Sequence, residues 1–331
     1  MSLSINNNAS SKIAIETLNA VQGDLSSTQN VVSTGLKVST AADNAAAFGI
    51  AQQMQGNVSG QSAVNDGLSF AAQTVSSTAS AANQIISVLQ SVQQAVTSLG
   101  DNLGSPASLD QIGTQITQYL AQIDTIARNA TFNGVNLLAA SPGGSTSDGK
   151  GMTTNTLNYV TGLQGDVSTV TGFAASTIAN WVGTGGAAGA ATGIATGLTL
   201  SAILGLSVSS DATAGVNPTA NVFETQGQGI TNASYTGATG VANMITQVQA
   251  AIKAMTFVTS ELGANTNMIK NMSTYGSTIS DNLTNGIGAL TDADMAAASA
   301  KLTSLQTKQQ LAIKSLTIAN SQSQNILSMF Q

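Results

Sequence analysis

Histidine and cysteine are both absent from this 331-residue chain. Without histidine there is no imidazole to move protons near neutral pH or to ligate a metal. Without cysteine there is no disulfide framework, thiol nucleophile or zinc–thiolate site, and the redox compartment cannot be read. Charge is scarce as well. Asp, Glu, Lys and Arg make up 7% of residues, against roughly a quarter in an average globular protein. A net charge of -6, with nine Lys and Arg scattered along the chain, supplies no basic patch for phosphate and argues against nucleic acid. No run approaches 18 consecutive apolar residues, so no membrane-spanning helix is expected. The opening MSLSINNNAS lacks the cationic start and apolar core of a cleavable signal peptide.

Polarity comes instead from Ser, Thr, Asn and Gln. Surfaces of that kind pack together without stripping water from ions, which costs several kcal/mol per buried charge. The apolar residues are arranged in heptads. From Val64 and Leu68 through Ala71, Val75, Ile85, Leu89 and Val92 to Leu99 they step by four and three for five heptads, enough for a coiled-coil seam. After a break at GDNLGSPASLD, Leu109, Ile112, Ile116, Tyr119, Ile123 and Ile126 define a second helix starting near Pro106 or Ser108. Asn133-Gly134 then reads as a tight hairpin turn. A long seam returns from Val241 through Ile245, Ile252, Leu262 and Ile269 to Leu290.

The register slips by one after TDAD, which marks a module boundary near 291–294. A last stripe follows through Leu302, Leu305, Leu316, Ile326 and Phe330, and a similar one opens the chain at Leu18, Val21, Leu25 and Val32. In the final segment Leu311, Ile313, Ile318, Leu327 and Met329 lie off the seam. A helix apolar most of the way round needs cover on most sides, and one partner helix cannot give it. Pairing of the two termini inside a monomeric bundle is one solution; lateral packing against neighbouring chains is the one favoured here.

Residues 141–240 differ in kind, holding 19 of the 33 glycines. Leu198, Leu200, Ala202, Leu204, Leu206 and Val208 alternate with Thr199, Ser201, Ile203, Gly205 and Ser207, which predicts a strand over 198–208. Phe173, Trp181 and Phe223 are candidates for a small core, and a Gly-rich β module is expected. GTGGAA at 183–188 fits a dinucleotide fingerprint, but the Gly-rich GAATGIATG that follows is no crossover helix. Asp292 and Asp294 lack the further acids of a calcium loop and suit a helix N-terminus better. Neither a catalytic constellation nor a cofactor is indicated, and the chain is read as non-enzymatic.

Several segments resemble bacterial flagellin. They are STGLKVSTAADNAAAFGIA at 33–51, VNDGLSFAAQTVSS at 64–77, IDTIARNATFNGVNLL at 123–138, and the run from Leu290 to Phe330 with its DAD and Q-rich helix. The resemblance implies a mainly α fold with a β-rich insertion, in which both termini form a long antiparallel coiled-coil hairpin and the Gly-rich middle an outer domain. Residues 1–40 with 294–331 would be the filament core. Residues 41–140 with 241–293 would be a helical rod layer with a hairpin near 131–139, and 141–240 a variable outer domain.

The resemblance further implies a homopolymer, the extracellular flagellar filament used for swimming. Its other partners would be the flagellar type III export apparatus with its chaperone, and the filament cap and junction proteins. Polymer packing would fall to Leu18, Val21, Leu25, Val32, Leu302, Leu305, Leu316, Ile326 and Phe330. The rod seam would fall to Val64, Leu68, Ile85, Leu89, Val92, Ile245, Ile252, Leu262 and Ile269. A hook–filament junction protein and a filament-displayed adhesin are the alternatives.

Departures from the family pattern are local. Lys37 stands for the usual Arg, and Ala298 for a common acid. LQSVQQAV at 89–96 places Ser91, Gln93, Gln94 and Ala95 where many flagellins carry Arg, Arg, Glu and Leu, and Gln115 replaces a Glu. That surface is read by the Toll-like receptor of animal innate immunity, and weakened recognition is expected.

Overall fold

The computed structural model describes residues 9–139, 152–173, 199–206, 223 and 238–328, side chains at 238–239 and 322–328 excepted. The elements in order are α1 (Ala9–Thr34), α2 (Ala45–Asp101), α3 (Pro106–Asn129), β1 (Thr156–Val160), β2 (Val167–Thr171), α4 (Leu200–Ile203), α5 (Ala238–Thr291) and α6 (Met295–Ser328). Two compact units result, Met1–Gly60 with Thr278–Gln331, and Gln61–Ser277.

The Gln61–Ser277 unit owes its helices to the heptads and to an economy in polar groups. Thr74 and Thr78, on the buried face of α2, donate their hydroxyls to the Phe70 and Thr74 carbonyls, each at 3.0 Å. A hydroxyl satisfied by its own helix can enter a core without a partner from elsewhere. Leu68, Ile85, Leu89 and Val92 are fully buried, as are Ile116 and Ile123 of α3. On α5 the deepest line is Val241, Met244, Val248, Ala251, Met255, Val258 and Leu262. It shares alternate positions with the expected seam but turns toward Met244 and Ala251, leaving Ile245 and Ile252 half-buried.

Asn133 and Gly134 both have positive φ, 47° and 82°, as a type I′ hairpin turn requires. Phe132 and Val135 exchange backbone hydrogen bonds of 2.9 and 3.0 Å across it. Beyond this turn Asn136 is fully buried. Its Nδ2 donates to the Ala127 carbonyl at 2.8 Å, and its Oδ1 accepts from the Leu138 and Ala139 amides. One side chain thus ties the end of α3 to the chain leaving it.

The middle zone contributes an antiparallel hairpin, with Thr156 opposite Thr171 and Val160 opposite Val167. Leu157, Tyr159, Val170, Phe173 and Phe223 are buried in the same core cluster as the helices. Trp181, the 183–188 fingerprint, and the ends of the expected 198–208 strand lie outside the described residues.

The described part of that expected strand, 199–206, is a helical turn instead. Its apolar residues also fit i, i+3, i+4 through Leu200, Ile203 and Leu204, so period two was only one of two readings. Local caps decide the matter. Thr199 Oγ1 accepts from the Ala202 amide, Gly205 closes the turn at φ 73°, and the Leu206 amide donates back to the Ser201 carbonyl at 2.9 Å. Burial completes it: Gln247 donates to the Leu204 carbonyl at 2.8 Å. A Cβ on Gly205 would meet Gln247 Nε2 at 2.5 Å.

From α3, Asp124 accepts from the Ser201 amide and hydroxyl, both at 2.8 Å. Burial pushes the Asp124 carboxyl above its ordinary range, opposed by these two hydrogen bonds and by Arg128.

Candidate functional site: the terminal helix pair

In the other unit, α1 and α6 pack along each other, antiparallel, with Ser11 Oγ donating to Asn320 Oδ1 at 3.0 Å. Their connections to α2 and α5 are tied together by a clasp. The Lys37 and Val38 amides both donate to the Thr291 carbonyl at 2.7 and 3.3 Å, and the Ala293 amide donates to the Gly35 carbonyl at 2.9 Å. Lys37 Nζ donates to the Ala289 carbonyl at 2.9 Å, placing a cation on the carbonyl end of α5, where the helix dipole favours it.

Each helix start beside the clasp is capped. Asp294 Oδ1 accepts from the Ala296 and Ala297 amides at the head of α6, and Asn44 Oδ1 accepts from the Ala47 amide at the head of α2. Asp43 Oδ2 gathers hydrogen bonds from the amides and hydroxyls of Ser39 and Thr40. Those bonds, the Thr40 amide first, hold the Asp43 carboxyl below its ordinary pKa.

The pair itself is thinly covered. Among described side chains, Thr28 is the buried one of α1 and Leu305 that of α6. Leu18, Val21, Leu25, Val32, Leu302 and Leu316 are half-buried along the seam. Ile326 and Phe330 lie outside the described side chains. Large aliphatics stand in the open: Ile13 at 64% exposure, Leu311 at 59% and Ile318 at 68%, with Ile15 and Ile313 near half. An open groove of about 510 Å³ runs along one side, lined by Ile13, Ala14 and Val21 of α1 and Leu311, Ala312 and Ala319 of α6 among others.

Off-seam spacing marks Leu311, Ile313 and Ile318 in the sequence, whereas Ile13 and Ile15 are not among the residues selected there. The signal was the same departure from heptad spacing on a helix read only for its seam. The clasp left no signal, because backbone amides carry it.

The other selected residues lie in the Gln61–Ser277 unit. Val64, Leu68, Ile85, Leu89, Val92, Leu262 and Ile269 are buried. Of the altered-receptor group, Gln94 and Gln115 are exposed, and Ser91 and Gln93 half-buried. Ala95 is buried in the core cluster. Gln115 Nε2 donates to the Tyr119 hydroxyl at 3.0 Å. Among the described residues no three acidic, His or Cys side chains cluster as metal ligands would, and no helix is long and apolar enough to cross a membrane.

Residues 5–142 match the bacterial flagellin N-terminal helical region, and 245–330 the bacterial flagellin C-terminal helical region. Over 99% of its length the chain is 32% identical to flagellin C of Rhizobium meliloti, and 32% identical to a flagellin of Brucella melitensis, spanning 99% of each. It is 29% identical to flagellin FljM of Caulobacter vibrioides, covering 99% of this chain and 98% of that one. An exposed terminal helix pair, a heptad-built core, family matches to both helical ends and flagellin relatives aligned along 99% of the chain lead to one conclusion: this chain belongs to the bacterial flagellin family, a structural protein that polymerises with itself into the extracellular flagellar filament.

Proposed function

We propose that the α1–α6 pair is the surface through which this flagellin polymerises, with residues 1–40 and 294–331 as the filament core. Residues 41–140 with 241–293 then form the surrounding rod layer, and 141–240 the outer, variable part. One observation carries the reading: aliphatic side chains such as Ile13, Leu311 and Ile318 stay more than half exposed on helices already paired with each other. Covering each contributes roughly 1.5–3 kcal/mol, and neighbouring copies are the cover a polymer provides. Export unfolded through the flagellar type III apparatus with a chaperone, and growth beneath a cap beyond junction proteins, fit the family.

Deleting 315–331 tests the reading. Electron micrographs of the truncated protein should show no filaments, while circular dichroism keeps a cooperative melt from the Gln61–Ser277 core. Filaments of ordinary length from the truncated chain would refute it.

The uncharged stretch at Ser91, Gln93, Gln94 and Gln115 adds a second property, weak recognition by the innate receptor that reads this surface in other flagellins. Hydrogen bonds to charged groups contribute roughly 1.5–3 kcal/mol each, so losing several costs orders of magnitude in potency. A receptor reporter assay should show that loss, and nanomolar response would overturn it.

A further inference from the structure

Asparagine followed by glycine readily loses its side-chain amide, because a residue without a Cβ lets its own nitrogen reach the neighbouring Cγ. The chain holds two such pairs, Asn133-Gly134 and Asn285-Gly286, and both asparagines are exposed. Solvent access does not separate them. Backbone does.

Asn133 and Gly134 are the central residues of the turn after α3, at φ 47° and 82°. Glycine is required at 134 twice over, since a Cβ there would also meet Thr153 Oγ1 at 2.6 Å. The Thr153 amide and hydroxyl donate to the Gly134 carbonyl at 2.7 and 3.1 Å, whereas the Gly134 amide donates to no described group. Asn285-Gly286 instead lies within α5, where the Gly286 amide belongs to the helical ladder and Met54 Cε sits against the glycine. Turning that peptide toward the asparagine side chain breaks helical hydrogen bonds. At the turn, the attacking amide has none to give up.

We infer that Asn133 is a self-modification site, where the Gly134 nitrogen closes a succinimide ring that water opens to isoaspartate. In the first step the Gly134 nitrogen gives its proton to solvent hydroxide and bonds to Asn133 Cγ. The Cγ–Nδ2 bond breaks, and the nitrogen leaves as ammonia with a proton from water. In the second step water adds to a ring carbonyl. Attack at the main-chain carbon of Asn133 leaves the chain running through Cγ, an isoaspartyl link; attack at Cγ leaves an ordinary aspartyl one. Nothing is oxidised or reduced.

The fold makes this position consequential. An isoaspartyl link adds a methylene to the main chain between Phe132 and Val135, which exchange hydrogen bonds of 2.9 and 3.0 Å across the turn. Next to Val135 comes the fully buried Asn136, which ties the end of α3 to the Leu138 and Ala139 amides. Extra length there loosens that tie. The inference is independent of how copies join.

The full chain, native and in denaturant, is incubated at mildly alkaline pH, and peptides spanning each pair are followed by mass spectrometry. Isoaspartate is read separately with an isoaspartate-directed methyltransferase and a labelled methyl donor. In the native chain Asn133 should convert more than an order of magnitude faster than Asn285, and the rates should converge in denaturant. An intact native Asn133, or equal native rates at the two pairs, would overturn the inference. Asn133→Gly supplies a Gly-Gly pair that the turn accepts and that cannot cyclise. On ageing it should hold its melting temperature while that of the unsubstituted chain falls, and equal change in both would refute the loosening.

Discussion

The two units of this flagellin use the same heptad grammar to opposite ends. In the Gln61–Ser277 unit, the greater part of the proposed rod layer and called the rod below, Leu68, Ile85 and Leu89 of α2 and Met244, Val248 and Met255 of α5 have no exposed surface at all. In the terminal pair, helices with comparable apolar content bury little more than Thr28 and Leu305. Three long helices, a hairpin and a capped turn close over the rod's core, whereas two helices alone cannot close over their own. Burial inside one chain makes a domain; burial left unfinished makes a subunit.

Substitution on the two sides should separate these roles sharply. Leu89→Ala empties a fully packed site and should cost about 2–5 kcal/mol, lowering the melting temperature of the rod. Leu316→Asn, on a half-buried seam position, should leave that melt nearly unchanged and abolish filaments in micrographs. Equal thermal losses from both would show that the terminal pair is folded into the same cooperative core, and the contrast would be gone.

A smaller effect tests how the middle zone is held. Gln247→Ala leaves the buried Leu204 carbonyl without its donor and should cost about 1–3 kcal/mol. Hydrogen exchange should then rise at Leu204 and Leu206 more than along α2. Uniform change along the rod would mean that the 199–206 turn is not docked through this bond.

The smallest expected effect is in pH, where the two units respond with opposite sign. Asp124, in the rod, has a raised folded pKa. Its contribution to stability is complete below the unfolded value near 3.8 and is lost as pH rises through the folded one. Asp43, in the α1–α2 connection, has a lowered folded pKa. Its contribution is present above 3.8 and is lost as pH falls through the folded value. Asp124→Asn should therefore flatten the loss of rod stability on going from acid toward neutral pH. Asp43→Asn should weaken acid sensitivity near the clasp, read by amide exchange at Ser39 and Thr40. Reversed slopes in denaturant titrations would contradict the burial of Asp124.

Much of this was legible in advance because helices repeat. Seams with three-and-four spacing located α2, α3, α5 and the terminal helices, and Asn133-Gly134 located a turn whose left-handed backbone few residue pairs accept. Asp294 was readable as a cap for the same local reason. Over its described residues, 199–206, the expected strand gives way to a helical turn because a short apolar run fits both periods. Its fate rested on the capping chemistry of Thr199 and Gly205, which the period-two reading counts only as alternates, and on Gln247 and Asp124 from distant parts of the chain.

By itself, the sequence determined the helices, the polar economy of their surfaces and the presence of apolar residues in excess of any single seam, since these follow from spacing and side-chain chemistry along one stretch of chain. Only the tertiary structure decided which excess was absorbed and which was left over. Met244 and Ala251 went inward while Ile13 and Leu311 stayed out, because burial depends on how many elements converge at a point in space, and no heptad records that.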